Sequence, residues 1–119
     1  MLSWVWDVVY TDQFGVWFRS LREEQQDAVI ARVEILEMEG PALGRPTVDT
    51  IEGSRHSNMK ELRVSKGGAI RVLFAFDPQR QAVLLLGGDK TGRWNAWYVE
   101  AIPLADDLFD EYLAETGQA

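Results

Sequence analysis

The second half of the sequence contains two arginines, a lysine and a tyrosine whose types and spacing favour binding of an anion. Arg63 and Arg71 lie in two alternating apolar segments separated by a glycine-rich turn. Lys90 follows the glycines that end a third such segment, and Tyr98 lies eight residues further on. Guanidinium groups bind phosphate or carboxylate oxygens, an ammonium stabilises negative charge and a phenol can donate a proton. The pattern therefore predicts a phosphate- or carboxylate-binding site.

The hydrophobic pattern of residues 59–76 predicts how the two arginines meet. These residues form a hairpin, and cross-strand partners in an antiparallel pair point to the same face. A three-residue turn at 66–68 pairs apolar with apolar residues, as in Val64 opposite Ile70. A two-residue turn would set Val64 opposite Arg71 and mix the two faces. The favoured register places Arg63 directly opposite Arg71.

Two like charges in this position have two explanations. They are mildly destabilising unless an anion lies between them, which is the arrangement of a phosphate or carboxylate site. Alternatively, each arginine pairs with a nearby acid of the protein, and Glu61 lies on the same face as Arg63. The sequence leaves both explanations open.

Aromatic residues and a single histidine complete the candidate set. Trp94, Trp97 and Tyr98 can stack on nucleic-acid bases, although core packing is the more typical use of the two tryptophans. His56 has the ordinary properties of a general base, with a surface histidine as the alternative. One histidine and scattered acids do not form a metal site, so we expect no metal and no cofactor.

The elements that must position these residues follow from periodicity and turn signals. Residues 4–10 alternate between apolar and other residues, which predicts a strand. A first helix is expected to begin near Asp12. A capping-box pattern at Ser20-x-x-Glu23 predicts the start of a second helix, which ends at Gly40-Pro41. Residues 40–58 resemble a long loop. Further strands are predicted at 59–65, 69–76 and 82–87, and a last helix from Pro103 to about Glu115.

This order predicts one α+β domain over residues 1–119. The expected architecture is a mostly antiparallel four-stranded sheet, in the order β-α-α-β-β-β-α, with the helices packed on one face. A length of 119 residues is typical of a single core.

Charge is unevenly distributed along the chain. The formal net charge is −7, yet residues 53–93 contain eight Lys or Arg against three acids. No Lys or Arg follows Arg93. A basic site on an acidic body is therefore expected. The absence of cysteine excludes disulfides and thiolate metal sites. No apolar run approaches the roughly 18 residues of a membrane helix, so we expect a cytoplasmic protein without membrane contact.

Four segments resemble the RelE/ParE toxin superfamily, and more closely its HigB-like, phage Gp49-like branch. They are "NMKELRV" at 58–64, "IRVLFAFDP" at 70–78, "LLGGDKTGRWNAWY" at 85–98 and "IPLADDLFDEYL" at 102–113. The resemblance implies the toxin of a type II toxin–antitoxin pair, which cleaves mRNA in the ribosomal A site. It also implies a helix-turn-helix antitoxin of the HigA type as partner, with mRNA and the ribosome as targets.

The resemblance assigns roles to residues by position. Arg63 and Arg71 match the strand arginines of the family, Lys90 matches its basic residue after the last strand, and Tyr98 matches its C-terminal tyrosine. His56 is a further candidate for proton transfer. RNA-binding roles are expected for the nearby cations and the first tryptophan of the last segment, namely Lys60, Lys66, Arg93 and Trp94.

Such a reaction needs a base, stabilisation of a pentavalent phosphorane and a proton for the leaving 5′-oxygen. Arg63 and Arg71 would hold the phosphate, Lys90 would stabilise charge or donate the proton, and Tyr98 or His56 would shuttle protons. Two alternatives share the fold: a ParE-like inhibitor of gyrase and a binding module without catalytic activity.

Overall fold

A computed structural model describes residues 5–64 and 69–119, which form five strands and three α-helices. The strands are β1 (Asp7–Tyr10), β2 (Val48–Thr50), β3 (Met59–Val64), β4 (Ile70–Phe76) and β5 (Gln81–Asp89). The helices are α1 (Asp12–Ser20), α2 (Glu23–Glu39) and α3 (Trp94–Glu115), with a 3-10 turn at Gly40–Ala42. The predicted turn at 66–68 lies outside the described residues.

The strands form one sheet in the order β1-β5-β4-β3-β2. Strand β1 is parallel to β5, whereas the other pairs are antiparallel. The α+β class and the mostly antiparallel sheet are thus confirmed, with five strands instead of four. The additional strand is β2, which pairs with β3 inside the segment predicted as a loop. Its three residues are too few to give a clear alternation in the sequence.

The helices cover both faces of the sheet, not one face as expected. Helices α1 and α2 pack on one face through residues such as Phe14 and Leu36. Helix α3 packs on the other through Ala105 and Phe109. The reason is visible in β4, where the four successive residues 72–75 are fully buried. A continuous apolar run of this kind is typical of a strand covered on both sides.

Helix α3 begins at Trp94, nine residues before the expected start at Pro103. A proline at the first turn is a common start signal, but here Pro103 lies inside the helix. Trp97 and Ala101 are buried against the sheet within the additional turns. Burial of this apolar surface outweighs the backbone hydrogen bond that the proline cannot make.

The helix starts predicted near Asp12 and Ser20 differ by one or two residues from the observed caps. Thr11 caps α1, since its Oγ1 accepts a hydrogen bond from Phe14 N and donates one to Leu85 O. Helix α2 starts after Arg22, whose N–H donates to Gln25 Oε1. Ser20 instead ends α1. Among the described residues, no helix has the length and apolar character required to span a membrane.

Candidate active site

The hairpin of β3 and β4 brings the two arginines together as predicted. Arg63 is the register partner of Arg71, and Val64 is the partner of Ile70. Strand residues two positions apart point to the same face of a sheet. Leu73 belongs to the core under α3, so Arg71, two residues before it on β4, and its partner Arg63 lie on the face that α3 covers. The apolar pairs on the opposite face fix this register.

A buried carboxylate lies between the two arginines. Glu61 is 4% exposed, and its Oε2 accepts a hydrogen bond of 3.0 Å from Arg63 Nε. Its Oε1 lies 3.7 Å from Arg71 Nε. Pairing of the arginines with an acid of the protein is therefore confirmed. It does not use all the donors, since Arg71 Nε is buried without a hydrogen-bond partner among the described residues.

Lys90 and Tyr98 extend this arrangement into a hydrogen-bonded chain. Tyr98 OH donates to Glu61 Oε1 at 2.5 Å, and Lys90 Nζ donates to Tyr98 OH at 3.1 Å. Lys90 is 8% exposed, and its Nζ lies 4.7 Å from the centroid of the Trp94 ring. We call Glu61, Arg63, Arg71, Lys90 and Tyr98 the Glu61 cluster. It joins β3, β4, the end of β5 and the first turns of α3.

The environment of the cluster changes the acidity of two of its members. Burial, and then the hydrogen bond and charge of Glu61, raise the pKa of the Tyr98 phenol to about 12. Burial, and then the positive charges of Arg71 and Arg63, lower the pKa of Lys90, while Glu61 acts in the opposite direction. Tyr98 is thus a protonated donor at neutral pH, and Lys90 is a more acidic ammonium than an exposed lysine.

Two glycines allow the elements around the cluster to approach each other. A Cβ added at Gly88 would lie 2.3 Å from Trp97 Nε1, and one added at Gly87 would lie 2.4 Å from Trp17. Trp97 belongs to α3, and Trp17 belongs to α1 on the other face. Both helices therefore contact the end of β5 at positions where only glycine fits. These two glycines come directly before Asp89, the last residue of β5, and Lys90 follows it.

His56 lies outside the Glu61 cluster. Its Nε2 lies 2.7 Å from Asp110 Oδ1, and its ring packs edge-on against Phe109. Asp110 comes twelve residues after Tyr98 on α3, about 18 Å along a helix axis. The structure therefore does not bring His56 to the cluster.

The four candidate RNA-binding residues have different positions. Trp94 is 60% exposed and stacks near Lys90, which leaves most of its ring open to a ligand. Arg93 forms an exposed ion pair of 2.8 Å with Glu100. Lys60 alternates with Glu61 along β3 and so lies on the opposite sheet face from the cluster. Lys66 lies outside the described residues.

Two residues of the site have roles that the sequence did not predict. Glu61 was expected only as a partner of the arginines, whereas its bond to Tyr98 spans 37 residues and has no local signal. Arg32 of α2 was not among the candidates, yet it lines a depression together with Arg63 and Arg71. Its only signal in the sequence is its position as a single cation in an acidic helix.

Comparison with known families agrees with this architecture. The sequence profile of the family "Phage derived protein Gp49-like (DUF891)" matches residues 16–110. Two relatives from Mycobacterium tuberculosis are each 50% identical to the chain. They are "Putative toxin HigB2", matched over 96% of this chain and 56% of its own length, and "Putative toxin HigB3", matched over 90% and 93%. The chain thus spans little more than half of the first relative.

Solved structures show the same fold at low identity. A free mutant of E. coli toxin RelE has a TM-score of 0.62 at 10% identity and covers 83% of this chain and 96% of its own. The RelE–RelB complex of Pyrococcus horikoshii has a TM-score of 0.56 at 20% identity, covering 75% and 98%. The E. coli RelBE complex has a TM-score of 0.57 at 6% identity, covering 71% and 95%.

Proposed function

Since the chain belongs to the phage-derived Gp49-like family and has a RelE fold, we propose that it is the toxin of a type II toxin–antitoxin system. Its activity in this proposal is ribosome-dependent, metal-independent cleavage of mRNA. The observation that carries the proposal is the Glu61 cluster, in which three cations and a phenol protonated at neutral pH meet at one end of the sheet. This set of groups suits a phosphodiester that gains negative charge during cleavage.

The reaction proceeds by attack of a ribose 2′-oxygen on the adjacent phosphorus. A bond forms between O2′ and phosphorus, and the bond from phosphorus to O5′ breaks. The 2′-hydroxyl gives its proton to solvent water and the leaving 5′-oxygen gains one from the protein, so the products are a 2′,3′-cyclic phosphate and a 5′-hydroxyl. The protein must stabilise the additional charge on the phosphorane and supply the second proton.

The cluster offers a group for each of these two tasks. The guanidinium groups of Arg63 and Arg71 bind the non-bridging oxygens through their terminal N–H groups, since Arg71 Nε is buried beside Glu61. Lys90 protonates the leaving oxygen, and its lowered pKa favours this transfer.

Glu61 holds the reacting groups in place and does not accept the substrate proton. Its Oε2 accepts a hydrogen bond from Arg63 Nε, and its Oε1 lies 3.7 Å from Arg71 Nε. It is also buried, and its Oε1 is occupied by the Tyr98 hydroxyl. Glu61 is therefore a positioning residue for Arg63, Arg71 and Tyr98.

We further propose a cognate antitoxin with a helix-turn-helix domain, of the HigA type. The support is the relatedness to proteins named HigB and the likeness to RelE structures that contain RelB. Expression of the chain alone should arrest growth of a bacterial host, and co-expression of the adjacent small gene should restore it. Normal growth at a high level of folded protein would contradict this part of the proposal.

The cleavage itself is tested with purified protein, programmed ribosomes and primer extension on the mRNA. We expect discrete cleavage sites with 5′-hydroxyl ends for the wild type, in the presence of EDTA at a level that spares the ribosome. Lys90→Met should reduce the rate by about 10²–10³, whereas Arg22→Gln, an exposed change at the start of α2, should not. Inhibition of gyrase supercoiling without mRNA cleavage would identify a ParE-like inhibitor instead, and neither activity would indicate a binding module.

A further inference from the structure

Three arginines from three different elements line one depression on the surface. Its volume is about 260 Å³, and it is lined by Arg32 of α2, Arg63 of β3, Arg71 of β4, and Pro46 and Thr47 before β2. No acid is among these lining residues. Glu61 lies between Arg63 and Arg71, whereas no described acid pairs with Arg32, so a third guanidinium in this depression favours an anion from outside the protein.

Arg32 has no explanation in the packing of its own helix. Helix α2 carries six acids and no other Lys or Arg within Glu23–Glu39. None of these acids is three or four residues from Arg32, the spacing at which helical side chains meet. Among the described residues Arg32 forms no ion pair, and it is partly buried.

The carboxylates close to this depression already have hydrogen-bond partners, and Arg32 is not among them. Glu61 accepts hydrogen bonds from Arg63 and Tyr98, and Asp49 is shared between Arg63 and the exposed Arg45, each at 3.0 Å. Asp89 at the end of β5 is a third carboxylate, and the charge of Arg71 acts on it. None of these three acids forms an ion pair with Arg32 among the described residues, so its positive charge has no described counter-ion.

The size and chemistry of the depression fit one phosphate group. Its volume of about 260 Å³ lies just below the roughly 300–1,000 Å³ of small-molecule pockets, which leaves ample room for a phosphate group. Guanidinium donors can bind two phosphate oxygens each, and Thr47 adds a hydroxyl of the kind that contacts phosphates in nucleic-acid complexes. Trp94, the exposed ring beside Lys90, lies at the other side of the cluster and can stack on a base.

We infer that the depression binds a backbone phosphate of the substrate RNA next to the scissile one, with Arg32 as the residue dedicated to it. The RNA strand runs from Trp94 and Lys90 across Arg63 and Arg71 towards α2. The inference rests on the proposed function in one respect, which is the identification of the ligand as RNA. It extends the site to an element, α2, that carries none of the cleavage chemistry.

The test measures binding without cleavage. Its probe is a single-stranded 2′-O-methyl RNA oligonucleotide, which has no free 2′-hydroxyl to attack phosphorus. Affinity is measured by fluorescence anisotropy over a range of salt concentrations for the wild type, Arg32→Gln and Arg32→Lys. The matched control is Arg22→Gln, which removes the same charge from the start of α2, where Arg22 is exposed and 3.4 Å from Glu24.

Arg32→Gln should weaken binding equally for different base sequences, because a phosphate contact carries no sequence information. It should make the slope of log K against log salt shallower by about 0.7, the value for one phosphate contact to a single strand. Arg32→Lys should keep the wild-type slope, and Arg22→Gln should match the wild type.

Three results would overturn the inference. They are equal slopes for Arg32→Gln and Arg22→Gln, no measurable binding of the probe by the wild type, and an effect of Arg32→Gln on inorganic phosphate binding alone. Failure of the proposed function has a different signature. In that case the all-ribose RNA would not be cleaved on ribosomes, while the dependence of probe binding on Arg32 would remain.

Discussion

The Tyr98 hydroxyl donates a hydrogen bond of 2.5 Å to Glu61 Oε1, across 37 residues of sequence and between α3 and the middle of β3. The same carboxylate accepts from Arg63 through its other oxygen. One buried side chain therefore fixes the distance from the arginines to the first turns of α3. This contact makes the cluster a single unit, so a change at Glu61 should affect several residues together.

Replacing Glu61 with Gln should alter both stability and the acidity of Tyr98. Gln keeps the shape but removes the charge that bonds Arg63, so the free energy of unfolding should fall by about 1–3 kcal/mol. The pKa of Tyr98 should move from about 12 towards 10, because part of the shift comes from Glu61. Urea unfolding measures the first effect, and NMR of ¹³C-labelled tyrosine measures the second.

Tyr112 provides the internal control for that titration. Its pKa is also raised to about 12, by burial and then by Asp77, which does not contact Glu61. It should be unchanged in Glu61→Gln. A Tyr98 pKa that stays at its wild-type value would show that Glu61 does not act on the phenol.

The two tyrosines should make the protein sensitive to alkali. A folded-state pKa raised above the unfolded value contributes stability that is present below pH 10 and lost as pH rises through about 12. Tyr98→Phe and Tyr112→Phe should each reduce the loss of stability between pH 10 and 12. Urea unfolding at several pH values within this window checks the prediction. Identical pH dependence in wild type and both variants would exclude it.

Gly88→Ala should be destabilising because the new Cβ would lie 2.3 Å from Trp97 Nε1. Either the indole or the end of β5 must shift, at a cost of about 1–3 kcal/mol. Gly44→Ala is the matched control, since nothing lies within 4 Å of its added Cβ and its φ is not positive. Thermal or urea unfolding of the two variants should separate them clearly. Equal stability would mean that the contact with Trp97 is not tight in solution.

His56→Gln should retain cleavage to within about threefold, because His56 contacts Asp110 and Phe109 and lies away from the Glu61 cluster. Its effect should be structural and small, typical of a partly exposed polar contact. The ribosomal cleavage assay measures the rate, and a melting curve checks the fold. A loss of about 10²-fold in a folded variant would return His56 to the catalytic set.

Arg71→Ala should lose both activity and some stability. On the hairpin register alone, removal of one of two opposed arginines should leave stability unchanged or raise it. With Glu61 between them, the change instead removes a cation next to a buried carboxylate and a side chain that is 12% exposed. We expect a loss of about 1–2 kcal/mol and a fall in rate of about 10²–10³.

Arg71→Lys is the companion variant for that experiment. A lysine restores the charge but not the paired donors that grip two phosphate oxygens, so stability should recover more than activity. Cleavage by Arg71→Ala at the wild-type rate would exclude a role for Arg71 in the reaction.

Features whose partners are close along the chain could be predicted from the amino-acid sequence. The β3–β4 register follows from pairing apolar residues across one turn, and that pairing is enough to set Arg63 opposite Arg71. The starts of α1 and α2 were correct to within a few residues, because turn and cap signals are local. The position of Lys90 after β5 followed in the same way.

Contacts between distant segments, in contrast, arise from the tertiary fold. The packing of α3 on the face opposite α1 and α2 depends on burial of both sides of β4, which no helix pattern reveals. That packing carries Tyr98 to Glu61 and leaves His56 with Asp110, so it separates two candidates for proton transfer that are equivalent in the sequence. Likewise, only the fold makes Arg32 of α2 line one depression with Arg63 and Arg71. Contacts of this kind depend on the sum of many long-range packing interactions. Local sequence patterns do not reveal the free energy of those interactions.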